Sequence, residues 1–427
     1  MRLLGHIGRA KLADMNSVKF YKLFELAKYQ LLYFLFFAIQ QSLNWPLLKF
    51  FGWRGPIVFW DTNAVLASVD CYSSVGLSVF KAADGDPCAG YIYGSNLLRF
   101  LTFLNLGEIR ASFFGWTFLI FLAIIFGFLT FLLKPDGLYK ASYLYPIFIS
   151  PPIFLLIERG NFDSLIFIFF FTAVILHSYG FKFISFCIIL TISTWKFYTY
   201  PLAILMLFAI KSAYLRFIGL ALFFLGIIQA LKDLSFIPNI SVAVADGSFG
   251  VLVWGSYLNR LSISIDFLSS YVFGVAALLI TLSILLFFKS KIVLDTKVFS
   301  DIRAKQRFSS SLFQSSFVVF FSCYMVGLNY DYRLIFLITA SIGFNLLGSD
   351  CQKSEFVQSL VWILTIACMW FSFNSNLLQP VGDFAIILLI CIFAINLARL
   401  HSSFFTSKLD AKKKSIKNVM RSRRDSI

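Results

Sequence analysis

The chain has 427 residues, 59% of them hydrophobic and only 14% charged, with 54 phenylalanines. A soluble domain is about a quarter charged, so this composition excludes a large soluble domain and predicts an all-α, multi-pass integral membrane protein. The net charge of +16 does not point to nucleic acid: when the chain is threaded through a bilayer in twelve spans, 27 of its 37 Lys and Arg fall on one side and 10 on the other, which is the positive-inside pattern.

In chain order, residues 1–22 form a basic cytoplasmic segment. It shows no apolar core followed by a small-residue cleavage site, so no cleavable signal peptide is expected. Residues 23–400 form one transmembrane unit of about twelve helices, with a range of 10–13. The spans are expected near 23–43, 112–133, 139–157, 163–178, 183–195, 199–211, 214–231, 266–288, 313–328, 334–347, 356–373 and 382–400. Residues 44–111 make a large first extracytoplasmic loop, whose end, Asn96–Asn105, is apolar enough to lie along the membrane surface. A second outer loop spans 232–265, and a basic inner loop spans 289–312. Residues 401–427 are a basic cytoplasmic tail, suited to topology and to lipid headgroups. Both termini are therefore cytoplasmic. Spans 183–195 and 199–211 are short, and Lys196–Pro201 reads as a break between half-helices. Such breaks survive at depth only where protein or a wet cavity satisfies the backbone.

On this threading, Asp61, the run Glu158-Arg159-Gly160-Asn161-Phe162-Asp163, Lys196 and Asn329-Tyr330-Asp331-Tyr332-Arg333 all fall at the outer ends of spans. Ionisable groups at membrane depth are expensive and mark function. Asp61 follows Phe59-Trp60 and suits a general base, because apolar surroundings raise a carboxyl pKa. It equally suits a helix N-cap. Asp70, on the same expected helix, and the turn residues Asp84 and Asp86 compete with it. In the Glu158–Asp163 run, Asn161 or Asp163 serves either as a cap or as a ligand-binding group, and Glu158 either pairs with Arg159 or binds substrate. Lys196 and Arg333 suit a lipid phosphate; the alternatives are that Lys196 snorkels to the headgroups and that Arg333 pairs with Asp331. The three histidines, His6, His177 and His401, fall on the inner side. No zinc spacing or phosphate-binding glycine loop occurs, so no metal or cofactor is expected. Cys71 and Cys88 share the first outer loop, 17 positions apart, and read as a disulfide in an oxidising compartment or as two free thiols.

The order of these pieces resembles the multi-pass glycosyltransferases of the GT-C fold. It is most similar to the bacterial branch that includes polyprenol-phosphate-mannose-dependent mannosyltransferases. The likeness runs from Phe-Trp-Asp61 through Cys71, Gly76, Asp86-Pro87-Cys88, Tyr91-Ile92-Tyr93 and Ser150-Pro151-Pro152. It continues through Glu158–Asp163, Lys196-Phe197-Tyr198 and Phe249-Gly250 to Asn329-Tyr330-Asp331-Tyr332-Arg333-Leu334-Ile335-Phe336. The resemblance implies a GT-C-like fold and transfer of a sugar from a polyprenyl-phosphate donor to a glycan or glycolipid acceptor. The active site would be on the extracytoplasmic face of a bacterial inner membrane. Asp61 matches the family's catalytic carboxylate. Glu158, Arg159, Asn161, Asp163, Lys196, Tyr198, Asn329, Asp331 and Arg333 are the expected substrate-binding residues. Membrane lipids are expected partners and nucleic acid is not. The sequence departs from the family where Tyr198-Thr199-Tyr200-Pro201 interrupts a Lys-Tyr-Pro motif and Tyr91-Ile92-Tyr93-Gly94 replaces Asn-Tyr-Pro. Competing readings are a lipid-linked-glycan transporter or flippase, a non-catalytic envelope-assembly protein, and an O-antigen ligase or polymerase.

Overall fold

The computed structural model describes residues 31–32, 35, 59–76, 79, 93–107, 109–133, 143–236, 248–253, 257, 266–287, 293–294, 304–326, 329–348, 355–372 and 378–424. The described residues are built almost wholly from helices, in the order α1 Trp60–Val75, α2 Ser95–Phe103, α3 Ala111–Leu133, α4 Leu144–Phe148, α5 Pro151–Arg159, α6 Asp163–Ser178 and α7 Lys182–Trp195. There follow α8 Tyr200–Phe208, α9 Ala213–Phe236, α10 Phe267–Phe287, α11 Ala304–Val326, α12 Ile335–Gly348, α13 Glu355–Phe371 and α14 Gln379–Arg424. Among the described residues, the strand pairing is one antiparallel ladder of two residues each, β1 Ser248–Phe249 with β2 Asn329–Tyr330.

Among the described residues, five helices are long and apolar enough to cross a membrane: Ala111–Leu133, Ala213–Leu234, Leu268–Phe287, Arg307–Val326 and Gln379–His401. The pair Leu144–Arg159 and Asp163–Ser178, bent by 109°, makes a sixth if it is counted as one span. Helices α7, α12 and α13, and the segment Phe197–Phe208, are apolar but shorter than the roughly 20 residues of a straight crossing. Among the described residues, length and composition thus give a helical architecture with five or six membrane-length spans. The expected span at 23–43, most of the outer and inner loops, Cys88, Cys351, Asp84 and Asp86 lie outside the described residues.

Within the expected span at 139–157, the described residues from Leu144 on form two helices that meet at Pro151-Pro152. α4 ends at Phe148, Ser150 is extended (φ −78°, ψ 156°), and α5 starts on Pro151-Pro152. Proline suits a first helical turn, but it drives the preceding residue out of helical conformation. The break at Lys196 is present: α7 stops at Trp195, Lys196 is extended, and a 3₁₀ turn, Phe197–Thr199, leads into α8.

The core is aromatic and close-packed. All fourteen residues of α12 are buried, as expected of a helix that is apolar on every side. It packs along α11, while α13 packs along α14 and α6 along α7. In contrast, only 17% of the apolar window of α9, and 17% of that of α10, is buried. Leu225, Ile228 and Leu231 of α9 are well exposed, as a bilayer-facing surface requires.

α2 is tied to the last turns of α9. The Ser95 N–H donates to Asp233 Oδ2 at 2.9 Å, Ser95 Oγ donates to Asp233 Oδ1 at 2.6 Å, and Gln229 Nε2 donates to both Ser95 Oγ and Asp233 Oδ1 at 2.8 Å. Asp233 therefore caps α2 from another helix. Leu97, Leu98 and Leu101 face the core, while Phe100, Phe103 and Leu104 are exposed. The helix thus lies against the end of α9 and presents Phe100, Phe103 and Leu104 outward. Replacing Asp233 by Ala leaves the Ser95 N–H and the Gln229 amide without this acceptor, at a cost of about 1–3 kcal/mol. Thermal unfolding in detergent is expected to show a lower Tm for Asp233→Ala than for Asp233→Asn, which keeps one acceptor; equal Tm values would contradict the capping role.

Candidate functional site

The site is built where the C-terminal ends of α5 and α7 meet the N-terminal ends of α1, α6 and α8 and the 3₁₀ turn Asp331–Leu334 before α12. Helix α5 ends on Gly160 in left-handed conformation (φ 55°, ψ 37°), and its N–H donates to the Ile157 carbonyl at 3.0 Å. A side chain at Gly160 would collide with Thr62 Oγ1 and with the Phe59 ring, so glycine is required here both by φ and by space. The Thr62 hydroxyl donates to the Gly160 carbonyl. The Phe59 N–H donates to the Glu158 carbonyl at 2.6 Å. Phe59 itself is left-handed (φ 62°), a conformation costing a bulky residue on the order of 1–3 kcal/mol. These contacts and its edge-on packing against Trp116 hold it there.

Asp61 projects from the first turn of α1. The N-cap position is Phe59, so the capping reading of Asp61 is corrected. Its Oδ1 lies 3.5 Å from Arg159 Nη1, and its Oδ2 accepts a hydrogen bond from Asn161 Nδ2. The Asn161 Oδ1 in turn accepts from the Asp163 N–H at 2.7 Å and from Tyr93 Oη at 2.9 Å. Asp163 Oδ1 accepts from Tyr198 Oη at 2.9 Å, and its Oδ2 pairs with Arg333 Nε at 3.2 Å. Lys196 Nζ stands over the Tyr93 ring, 3.9 Å from its centroid, and the Arg333 guanidinium lies over the Tyr198 ring at 5.2 Å. One connected polar network thus joins Asp61, Arg159, Asn161, Asp163, Tyr198 and Arg333, with Lys196 alongside it.

The structure brings together Asp61, Arg159, Asn161, Asp163, Lys196, Tyr198 and Arg333 from the expected set. Glu158 is buried beside them and supplies its backbone carbonyl to Phe59. Asn329 lies in β2 and Asp331 opens the 3₁₀ turn that carries Arg333; their side chains lie outside what is described. Arg333 is ion-paired with Asp163, and Arg159 with Asp61. Asp70 is not part of the network. Nine residues along α1 put it roughly 13 Å away and on the opposite helix face, where it is exposed and packs at Gly107. Cys71 is disulfide-bonded, but its pairing with Cys88 falls outside the described residues. Among the described residues, no three His, Cys, Asp or Glu side chains form a metal-ligand set. Tyr93, Thr62 and Asp233 were not assigned functional roles from the sequence. Their partners are 68 to 138 positions away, and no local pattern carries that information.

Burial is the largest influence on Asp61 and pushes its carboxyl above the ordinary 3.8. Arg159, the Asn161 amide and Lys196 pull it down, and Asp163 pushes it up. The folded protein therefore holds this proton to higher pH than the unfolded chain does. The stability tied to protonated Asp61 is complete below 3.8 and is lost as pH rises through the folded-state value. Asp61→Asn, which never ionises, is expected to match the wild type in acid and to exceed its Tm at neutral pH. A wild type that is more stable than Asp61→Asn at pH 7 would mean that the Arg159 pairing outweighs desolvation.

Comparison of the chain with protein-family models, curated proteins and solved structures gave no match.

Proposed function

We propose that this protein is a membrane glycosyltransferase of GT-C type that moves a sugar from a polyprenyl-phosphate donor to an extracytoplasmic glycan or glycolipid acceptor. The observation that carries the reading is the single network at one end of the helix bundle, in which a half-buried carboxylate, Asp61, stands near a buried ammonium, Lys196. Glycosyl transfer from a lipid phosphate needs these two groups: a base for the acceptor and a cation for the leaving phosphate.

In this reading the acceptor hydroxyl oxygen attacks the anomeric carbon while Asp61 takes the hydroxyl proton. The bond between that carbon and the phosphate oxygen breaks, and the electron pair leaves with the polyprenyl phosphate. Lys196 offsets the charge growing on that phosphate, with Arg159 and Arg333 nearby. Arg159 and the Asn161 amide hold Asp61 in place, and burial raises its proton affinity above that of an ordinary carboxylate, the direction that favours a base. The lipid portion would lie against the exposed apolar surface of α9 and α2, next to the Trp195–Lys196 break. The topology that goes with this reading has twelve spans, cytoplasmic termini and the network facing outward from a bacterial inner membrane. It is supported by the 27-to-10 division of basic residues. The shorter helices α7, α8, α12 and α13 would be crossings completed within protein rather than in lipid.

Purified protein in nanodiscs, offered a panel of polyprenyl-monophosphate sugars with membrane-glycan acceptors, is expected to transfer sugar. Asp61→Asn should lower turnover by roughly 100-fold or more, the scale of general-base catalysis. Lys196→Ala should raise the apparent donor KM more than the acceptor KM. Full turnover by a folded Asp61→Asn protein, or no transfer by the wild type across the panel, would overturn the reading.

A further inference from the structure

Tyr93 makes contact with both halves of the network, although it comes from neither of the segments that supply them. It precedes α2, is almost fully buried, and is held from behind by the chain that follows it. The Gly94 N–H donates to the Trp195 carbonyl at 2.9 Å, and Ser95 is fixed to Asp233. Gly94 lies so close to the Thr194 carbonyl and the Asp233 carboxylate that a side chain would not fit. From this fixed position, the Tyr93 hydroxyl donates to Asn161 Oδ1 while its ring face receives Lys196 Nζ.

The Asn161 amide has a defined orientation. Its Oδ1 accepts from the Asp163 backbone N–H, so its Nδ2 must be the atom that faces Asp61. The Tyr93 hydroxyl is the second donor to that oxygen. It holds the amide against rotation, and by drawing electron density to Oδ1 it strengthens donation from Nδ2 to the carboxylate. The ring contributes a separate interaction, since a quadrupole face beneath a desolvated ammonium favours its charged form.

We propose that Tyr93 is a positioning residue that fixes the spacing of the Asp61 carboxylate and the Lys196 ammonium, through its hydroxyl on Asn161 and its ring under Nζ. Its meaning for catalysis rests on the glycosyltransferase reading; its effect on Asp61 does not. The groups that face Asp61 are Arg159 from α5, Asn161 and Asp163 at the start of α6, and Lys196 after α7. Of the other helices packed on α1, α3 carries no charged residue and Arg99 of α2 is exposed. The supports described for the carboxylate are thus the guanidinium and the amide, and Tyr93 bears on the amide.

Two variants separate the hydroxyl from the ring. Tyr93→Phe keeps the ring and its volume, and Tyr93→Leu removes both functions. The activity-independent readout is labelling of Asp61 by dicyclohexylcarbodiimide, which reacts with protonated carboxyls in apolar sites, followed by mass spectrometry across a pH series. Tyr93→Phe is expected to move the labelling midpoint upward, because an amide held less firmly stabilises the carboxylate less. In transfer assays it should lower kcat about tenfold or more with the donor KM within about twofold of wild type, the pattern of a misplaced base. Tyr93→Leu should in addition raise the donor KM several-fold through Lys196. A Tyr93→Phe protein with the wild-type midpoint and kcat would overturn the proposal. So would a folded Tyr93→Leu protein whose donor KM equals that of Tyr93→Phe. If Tyr93→Leu does not fold, the Phe variant decides the matter alone. If the wild type transfers no sugar, the glycosyltransferase reading falls, and the labelling midpoints still decide the role of Tyr93.

Discussion

The buried pair between Asp163 and Arg333 is the constraint on which the rest of the site depends. The two residues are 170 positions apart, 1% and 10% exposed at their side chains, and 3.2 Å from each other. A carboxylate or guanidinium buried alone costs several kcal/mol, and removing one member of such a pair costs roughly 3–5 kcal/mol. Asp163 therefore fixes the turn before α12 against the start of α6. The same residue receives the Tyr198 hydroxyl from the break after α7 and gives its backbone N–H to Asn161. Three distant parts of the chain are brought into register by one carboxylate and its own peptide group. Pairs of this kind are weak sources of net stability, so their presence here is better accounted for by the geometry they impose on Asn161 and Asp61.

The arrangement also sets how charge can move. The network sets two carboxylates, Asp61 and Asp163, among three cations, Arg159, Lys196 and Arg333. In the proposed reaction the donor enters as a phosphodiester with one negative charge and leaves as a monoester that gains a second. Asp61 becomes neutral by accepting the acceptor's proton as that charge appears. The total charge of site and substrate stays constant, and charge moves from the base toward the phosphate beside Lys196. A low-dielectric site with fixed charges favours such a transfer more than water does, because no solvent must reorganise.

Much of the helical layout is legible in the amino-acid order, because apolar runs bounded by Pro, Gly and charged residues report helix ends directly. The turn at Arg159–Asp163, the break at Lys196 and the starts of α3, α10 and α12 fall at or within a residue or so of the expected places. Hydropathy does not register the break within the apolar run at 139–157, but Pro151-Pro152 marks it. The grouping of Asp61 with the Glu158 run, Lys196 and Arg333 was accessible because alternating spans deliver those helix ends to one side. The long-range pairs, Arg159 with Asp61 and Arg333 with Asp163, were not accessible, because partners so far apart in sequence leave no local pattern. The left-handed Phe59 and the capping of α2 by Asp233 are likewise set by tertiary contacts, and they leave no periodic trace.

The central claim is that this network holds a lipid phosphate at Lys196 while the Asp163–Arg333 pair stays intact. The most direct measurement is a cryo-EM structure of the protein in nanodiscs containing a polyprenyl monophosphate. The account predicts phosphate density within ion-pair distance of Lys196 Nζ, on the side of the network that faces Asp61, with Arg333 still on Asp163 and the lipid chain running along α9 and α2. A well-resolved network with no phosphate beside Lys196, or with the lipid phosphate bound at the opposite end of the bundle, would contradict it.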